Sequence, residues 1–256
     1  MSEEIVLSIY RGNKTGGEEV RYTVPLTPGM VVLDAVHYVQ AHEAQDLAVR
    51  WNCKAAHCGS CGAEINGRPK LLCKTRLDDY QGQVVHIQPM QTFPIIKDLV
   101  SDVSWNYETA KKIPAFQLSQ SAPLQMQQFD VDRVQEFHHC IECFLCQDTC
   151  HVLRDHDAKD QYFGPRFMVK IAEFEMHPRE TGDRVSLLAK EAGLSMCNVT
   201  KCCTEVCPQH IKITDNAIIP LKERVADQYW DPLRALLRRK KPRSGEGSES
   251  GTTVRG

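Results

Sequence analysis

Cysteine is the residue through which this chain can do chemistry, and its spacing says which chemistry. All but one of the twelve cysteines fall into two patterns. Cys53, Cys58, Cys61 and Cys73 read C-x4-C-x2-C with a fourth cysteine after eleven intervening residues, the ligand spacing of plant-type 2Fe-2S centres. Cys140, Cys143, Cys146 and Cys150 read C-x2-C-x2-C-x3-C, and the pattern returns with Cys197, Cys203 and Cys207 ahead of Pro208. That is the bacterial two-cluster style, in which the fourth cysteine of a run ligates the other cluster. Iron in such centres needs soft, anionic sulfur, which thiolates supply from compact loops. Gly59 and Gly62 let the first loop wrap closely and aim amides at the cluster sulfides, one lever on potential.

Cross-ligation allows a finer assignment. Cys140, Cys143, Cys146 and Cys207 are expected to hold a 4Fe-4S cluster, and Cys150 then joins Cys197 and Cys203. A complete second C-x2-C-x2-C would need cysteine where Thr200 stands. Three ligands and one vacancy argue for 3Fe-4S. Cys202 is left over; as an alternative fourth ligand it abuts Cys203, and consecutive side chains diverge. The competing metal is zinc, but structural zinc joins CxxC-type halves across a dozen or more residues, looser than these runs. His57 could replace a cysteine in Rieske fashion, yet four thiolates are already present. His138, His139, His151, His156 and His210 crowd the second set and read as polar surroundings.

The chain has 256 residues, enough for two domains. Hydrophobic residues make up 42%, charged residues 25% and the formal net charge is -2, which gives no bias toward nucleic acid. No apolar run is long enough to span a membrane, and MSEEIVLSIYRG resembles neither a secretory nor an organelle leader. A bacterial cytoplasmic setting follows as the expectation, where thiols stay reduced or bind metal.

Positioning elements are legible around the cysteines. Ile5–Tyr10 and Val20–Val24 read as a hairpin. Val32, Ala35, Val36 and Val39 recur at helical spacing after Pro28-Gly29. Ala63–Ile65, Asn66-Gly67 and Pro69–Cys73 read as a second hairpin with a type I′ turn, and Val84–Gln88 as a further strand. The fold class is α+β. Lys111–Gln128, rich in Pro, Ser and Gln, reads as an inter-domain connection. Beyond it, Phe167, Ile171 and Phe174 share a helical face over Phe167–Met176, and Thr214 is placed to cap a helix from Asp215. The domains expected are 1–108, 109–235 and a tail, 236–256. Arg234, Arg238, Arg239, Lys240, Lys241 and Arg243 form a basic segment that is either solvated or touches anionic lipid, and SGEGSESGTTVRG after it reads as disordered.

With these motifs in one chain, the sequence resembles the iron-sulfur subunit of succinate dehydrogenase and fumarate reductase complexes over about residues 3 to 235. Supporting segments are RWNCKAAHCGSCG at Arg50–Gly62, KDLVSDVSWNY at Lys97–Tyr107 and FGPRFM at Phe163–Met168. ECFLCQDTCHV and KCCTEVCP look most like an actinobacterial branch. The resemblance implies a ferredoxin-like β-grasp domain with 2Fe-2S, then a helical bacterial-ferredoxin-like domain with 4Fe-4S and 3Fe-4S. It implies an FAD-bearing catalytic subunit on one side and a haem- or quinone-binding membrane anchor on the other, at the cytoplasmic face of the plasma membrane. Electrons from succinate would pass FAD, 2Fe-2S, 4Fe-4S, 3Fe-4S and quinone, or run the other way toward fumarate. No GxGxxG fingerprint or nucleophile-base arrangement stands in this chain, in keeping with flavin chemistry on the partner.

The family pattern is not matched everywhere. His151 stands where many members have proline, Asp155 where some have a quinone-pocket tryptophan, and Asn198 where histidine is common. Lys222 lies within a residue of a quinone-side lysine of some members. The altered pocket points to menaquinone.

Overall fold

The computed structural model describes residues 3–118 and 125–231. The basic segment and polar tail lie outside the described residues, as do 119–124 of the expected connection.

The amino-terminal half is a mixed sheet covered by one long helix. Strands β1 (Glu4–Asn13) and β2 (Gly16–Pro25) pair antiparallel from Glu4↔Pro25 to Asn13↔Gly16. This hairpin is longer than the apolar runs that announced it, because the ladder continues through polar residues up to the turn. Alternation turns Ile5, Leu7, Ile9, Tyr22 and Val24 inward. Helix α1 (Val32–His42) lays Val32, Leu33, Ala35, Val36 and Val39 into the same core. Asp34 caps it by accepting from the Val31 N–H at 3.3 Å. β3 (Gly62–Ile65) and β4 (Arg68–Leu71) form the second hairpin, with Asn66 at φ 49° and Gly67 at φ 73° as a type I′ turn requires. β5 (Val84–Gln88) runs parallel to β1 and antiparallel to β3, giving the order β4-β3-β5-β1 with β2 on β1. The short strands β6 (Ile95–Lys97) and β7 (Val100–Ser101) and helix α2 (Ser104–Lys111) follow.

The second half is helical: α3 (Gln128–His138), α4 (Leu145–Asp148), α5 (His151–Arg154), α6 (Pro165–Glu175), α7 (Arg184–Lys190) and α8 (Cys202–Glu205). A π-helical turn, Ile213–Ile218, leads into α9 (Ile219–Tyr229). α6 starts at Pro165, a favoured first position, and buries Phe167, Met168, Val169, Ile171 and Ala172. Two expectations need correction. Thr214 is no cap: it lies inside the π turn, 1% exposed, and its hydroxyl accepts from Thr204 Oγ1 at 3.2 Å. The first part of Lys111–Gln128 is no free connection either. The Pro114 and Ala115 carbonyls accept from Arg184, and the Thr181 N–H donates to the Gln117 carbonyl, so this strap is bound to the helical half.

The halves interlock. Phe144 and Leu145, between two cysteines of the second pattern, belong to the amino-terminal core. Asp148 accepts from the Thr92 N–H at 3.0 Å, and Arg154 grips the buried Glu64 of β3, Nη1 at 2.7 Å from Oε1 and Nη2 at 3.3 Å from Oε2. Arg154→Ala strands a carboxylate that is 2% exposed, an expected loss of about 1–3 kcal/mol measurable by urea unfolding.

Candidate metal centres

The chain turns sharply at the cysteines, and the turns are of one kind. Non-glycine residues enter the left-handed region at Lys54 and Ala56, at Glu142 and Phe144, and at Val199 and Lys201. Each costs on the order of 1–3 kcal/mol and persists only when its surroundings over-determine it; a β-branched residue such as Val199 is the least expected there. In each stretch the effect is the same: the backbone coils so that cysteines close in sequence face one volume.

In the first loop the N–H groups of Ala55, His57 and Cys58 all donate to Cys53 Sγ at 3.3–3.4 Å. Cys53 is exposed and Cys58 half-buried, whereas Cys61 and Cys73 are buried. The thiols respond accordingly. Burial raises Cys58, but hydrogen bonds from the Cys53 backbone and from Ser60 outweigh it and bring it to about 6. Burial pushes Cys61 up to about 12. His57 is an exposed loop residue.

Cys140, Cys143, Cys146 and Cys207 line one narrow cavity, together with Phe144, Val169, Ile211 and Ile213. Burial, with neighbouring Cys140 and Cys207, pushes Cys143 up to about 12. Cys146, also buried, lies well above the usual thiol range for the same reason. These are apolar, crowded thiols that hold their protons until a cation takes their place, which makes metal uptake a proton-releasing step.

Cys150, Cys197 and Cys203 form the third group. Burial pushes Cys150 up to about 12 and Cys203 to about 11. The Thr214 hydroxyl lies 3.5 Å from Cys203 Sγ. Tyr162, 0% exposed, has its hydroxyl beside all three sulfurs, each of which raises it after burial does. Cys202 is half-buried, its sulfur 3.4 Å from the exposed Thr200 hydroxyl.

The groups are stitched in series. Gln209 donates to the Ala56 carbonyl at 2.9 Å, and Lys74, next to Cys73, donates to the Pro208 carbonyl, next to Cys207, at 2.7 Å. Gly59, at φ +70°, has Ile141 and Cys143 so close that a Cβ would sit 2.8 Å from the Cys143 Cα and the Ile141 oxygen. Gly59→Ala therefore strains the backbone and wedges the first two groups apart, with an expected cost of about 1–3 kcal/mol, read by urea unfolding. Cys146 feels the Cys203 thiol, which joins the second and third groups.

The four residues expected at a quinone are less gathered. His151 opens α5 half-buried, Asp155 and Asn198 are exposed, and the half-buried Lys222 lies on α9. His151 and Asn198 flank Cys150 and Cys197 in the chain. α9 packs on the short turn Leu194–Met196 that leads into Cys197. Arg166 and Tyr162 were missed as site residues: an arginine inside an apolar helical stretch was a usable signal for the first, and nothing local marked the second.

The fold and its three cysteine groups define a two-domain ferredoxin-like electron carrier. The 2Fe-2S iron-sulfur cluster binding domain family matches residues 6–108, and the 4Fe-4S dicluster domain family matches residues 136–211. A fumarate reductase iron-sulfur subunit of Haemophilus influenzae is 32% identical over 74% of this chain and 80% of its own length, and one of Mycobacterium tuberculosis is 32% identical over 74% and 79%. The solved Mycobacterium smegmatis Sdh1 complex in the apo form contains a chain that is 55% identical, with a TM-score of 0.88, matched over 91% of this chain and 100% of that one. The chain belongs to the iron-sulfur subunits of the succinate dehydrogenase and fumarate reductase family, and it is the electron-relay subunit of such an oxidoreductase complex. Among the described residues, no helix is long and apolar enough to cross a membrane.

Proposed function

We propose that this chain carries electrons from an FAD-bearing flavoprotein subunit to a quinone, menaquinone by preference, at a membrane-anchor subunit on the cytoplasmic face of the plasma membrane, in the direction of succinate oxidation within the tricarboxylic acid cycle. When bound, the three clusters supply one-electron transfer. Cys53, Cys58, Cys61 and Cys73 take 2Fe-2S; Cys140, Cys143, Cys146 and Cys207 take 4Fe-4S; Cys150, Cys197 and Cys203 take 3Fe-4S. Residues 1–108 and 109–235 are the two cluster-bearing units.

The observation that carries this reading is the four-cysteine cavity, assembled from stretches more than fifty residues apart, Cys140–Cys146 and Cys207. Its donors are the soft thiolates iron-sulfur centres take. Cys202 lies near enough to raise both Cys150 and Cys203, so leaving it out of the third set rests on its adjacency to Cys203 in the chain. The succinate direction is favoured by the 55% identity to a chain of the Sdh1 complex, against 32% for the fumarate reductase subunits.

Electron paramagnetic resonance on the air-oxidised, purified complex tests the assignment. A 3Fe-4S signal is expected, and it should survive Cys202→Ser; absence of the signal in the unaltered protein sinks the third assignment. Turnover with succinate and menaquinone, compared with ubiquinone and with fumarate plus menaquinol, tests the direction and the quinone.

A further inference from the structure

Arg166 lines the four-cysteine cavity. Its side chain is 7% exposed, and its Nε and Nη1 are buried without a hydrogen-bond partner among the described residues. Among the described residues the guanidinium hydrogen-bonds through Nη2 alone, to Glu142, whose side chain is 55% exposed, and it lies 5.8 Å from the Phe167 ring. The other deeply buried arginine shows what this fold does when a guanidinium is purely structural. Arg184 is held by two Glu180 contacts and by the Pro114 and Ala115 carbonyls. An under-satisfied cation in the lining of a cysteine cavity, close enough to Cys140 and Cys146 to feel both, is costly in apolar surroundings and favourable beside a centre of net negative charge. Burial keeps that charge unscreened.

We propose that Arg166 sets the potential of the second cluster: its guanidinium directs unpaired N–H groups and a full positive charge at the site and stabilises the reduced state. The inference rests on the reading that Cys140, Cys143, Cys146 and Cys207 hold 4Fe-4S. Reduction there adds one electron from the preceding carrier and breaks no bond, so the site becomes one charge more negative. A fixed cation then favours the reduced form, and hydrogen bonds to sulfur act in the same direction.

The test is a potentiometric titration, followed by electron paramagnetic resonance, of the purified whole complex carrying Arg166→Gln, Arg166→Lys or Glu142→Gln. Arg166→Gln is expected to shift the reduction equilibrium at least tenfold toward the oxidised form, about 59 mV for one electron, with the other two clusters unmoved. Arg166→Lys should recover part of the shift. Glu142→Gln removes the counter-charge and should move the midpoint the opposite way. An intact second cluster whose midpoint is unchanged in Arg166→Gln overturns the proposal. If that variant loses its cluster, unchanged midpoints in both Arg166→Lys and Glu142→Gln overturn it. Absence of a second-cluster signal or of matching iron and sulfide in the unaltered complex would instead overturn the cluster reading itself.

Discussion

Cys207→Ser is expected to abolish the middle centre and stop electron flow through the complex. Cys207 is the one member of the four-cysteine cavity that comes from the late stretch, so it ties the loop after α8 to the loop before α4. Serine is hard and, at neutral pH, protonated, a poor substitute for a thiolate toward iron. The structural effect is as large as the functional one. Cys146, Cys150 and Cys203 are counted within the second hydrophobic core, with Cys140, Cys197 and Cys207 packed against it, so the cluster sites are part of what the helical half folds around. Without its cluster, the strained backbone at Glu142 and Phe144 loses the bonds that hold it. The variant should show reduced iron and sulfide, no second-cluster signal, background succinate:quinone activity and a lowered Tm. Cys202→Ser is the control, expected to match the unaltered protein in all four. A Cys207→Ser protein that keeps its full iron content and the middle signal refutes the cross-ligation.

The cysteine groups could be read from spacing because the ligands within each run stand a few residues apart, and the exchange of Cys150 and Cys207 between runs follows the two-cluster pattern. The hairpins were legible for a similar reason, since Asn66-Gly67 admits few turns and Ile5, Leu7 and Ile9 alternate. What escaped the sequence was non-local. The strap around Pro114 and Ala115 reads as a polar connection because its partner, Arg184, stands about seventy residues on. Thr214 reads as a cap because Ser and Thr favour that position, yet its role is fixed by Thr204 and Cys203, supplied by α8. Arg166 and Glu64 are charged residues that ordinarily face solvent; their burial follows from cores assembled out of both halves, which no window of sequence contains. β6 and β7, three and two residues long, carry too few side chains for any period to register.

Arg184→Ala is expected to destabilise the helical half by about 3–5 kcal/mol, the usual result of removing one partner from a buried ion pair. Arg184 and Glu180 side chains are each 2% exposed and meet at 2.8 Å. Glu180 also accepts from the Gln117, Thr181 and Gly182 N–H groups, and together these contacts, after a burial effect of opposite sign, keep its carboxyl below the usual range. Removing the guanidinium strands that charge, frees the Pro114 and Ala115 carbonyls and takes away the cation stacked 4.7 Å from the Phe174 ring. Arg184→Lys should recover only part, because an ammonium cannot serve the forked carboxylate and two carbonyls at once. Replacing both partners, Arg184→Met with Glu180→Leu, separates the pair's net worth from the penalty of an orphaned charge: if the pair acts as buried pairs usually do, the double variant is more stable than Arg184→Ala. Urea unfolding of the cluster-loaded complex, followed by loss of the second and third cluster signals, measures all three. Because α7 supplies none of the proposed ligands, cluster potentials in folded Arg184→Ala protein should be unchanged; a shifted potential would show that the strap reaches the relay and is more than a clasp on the fold.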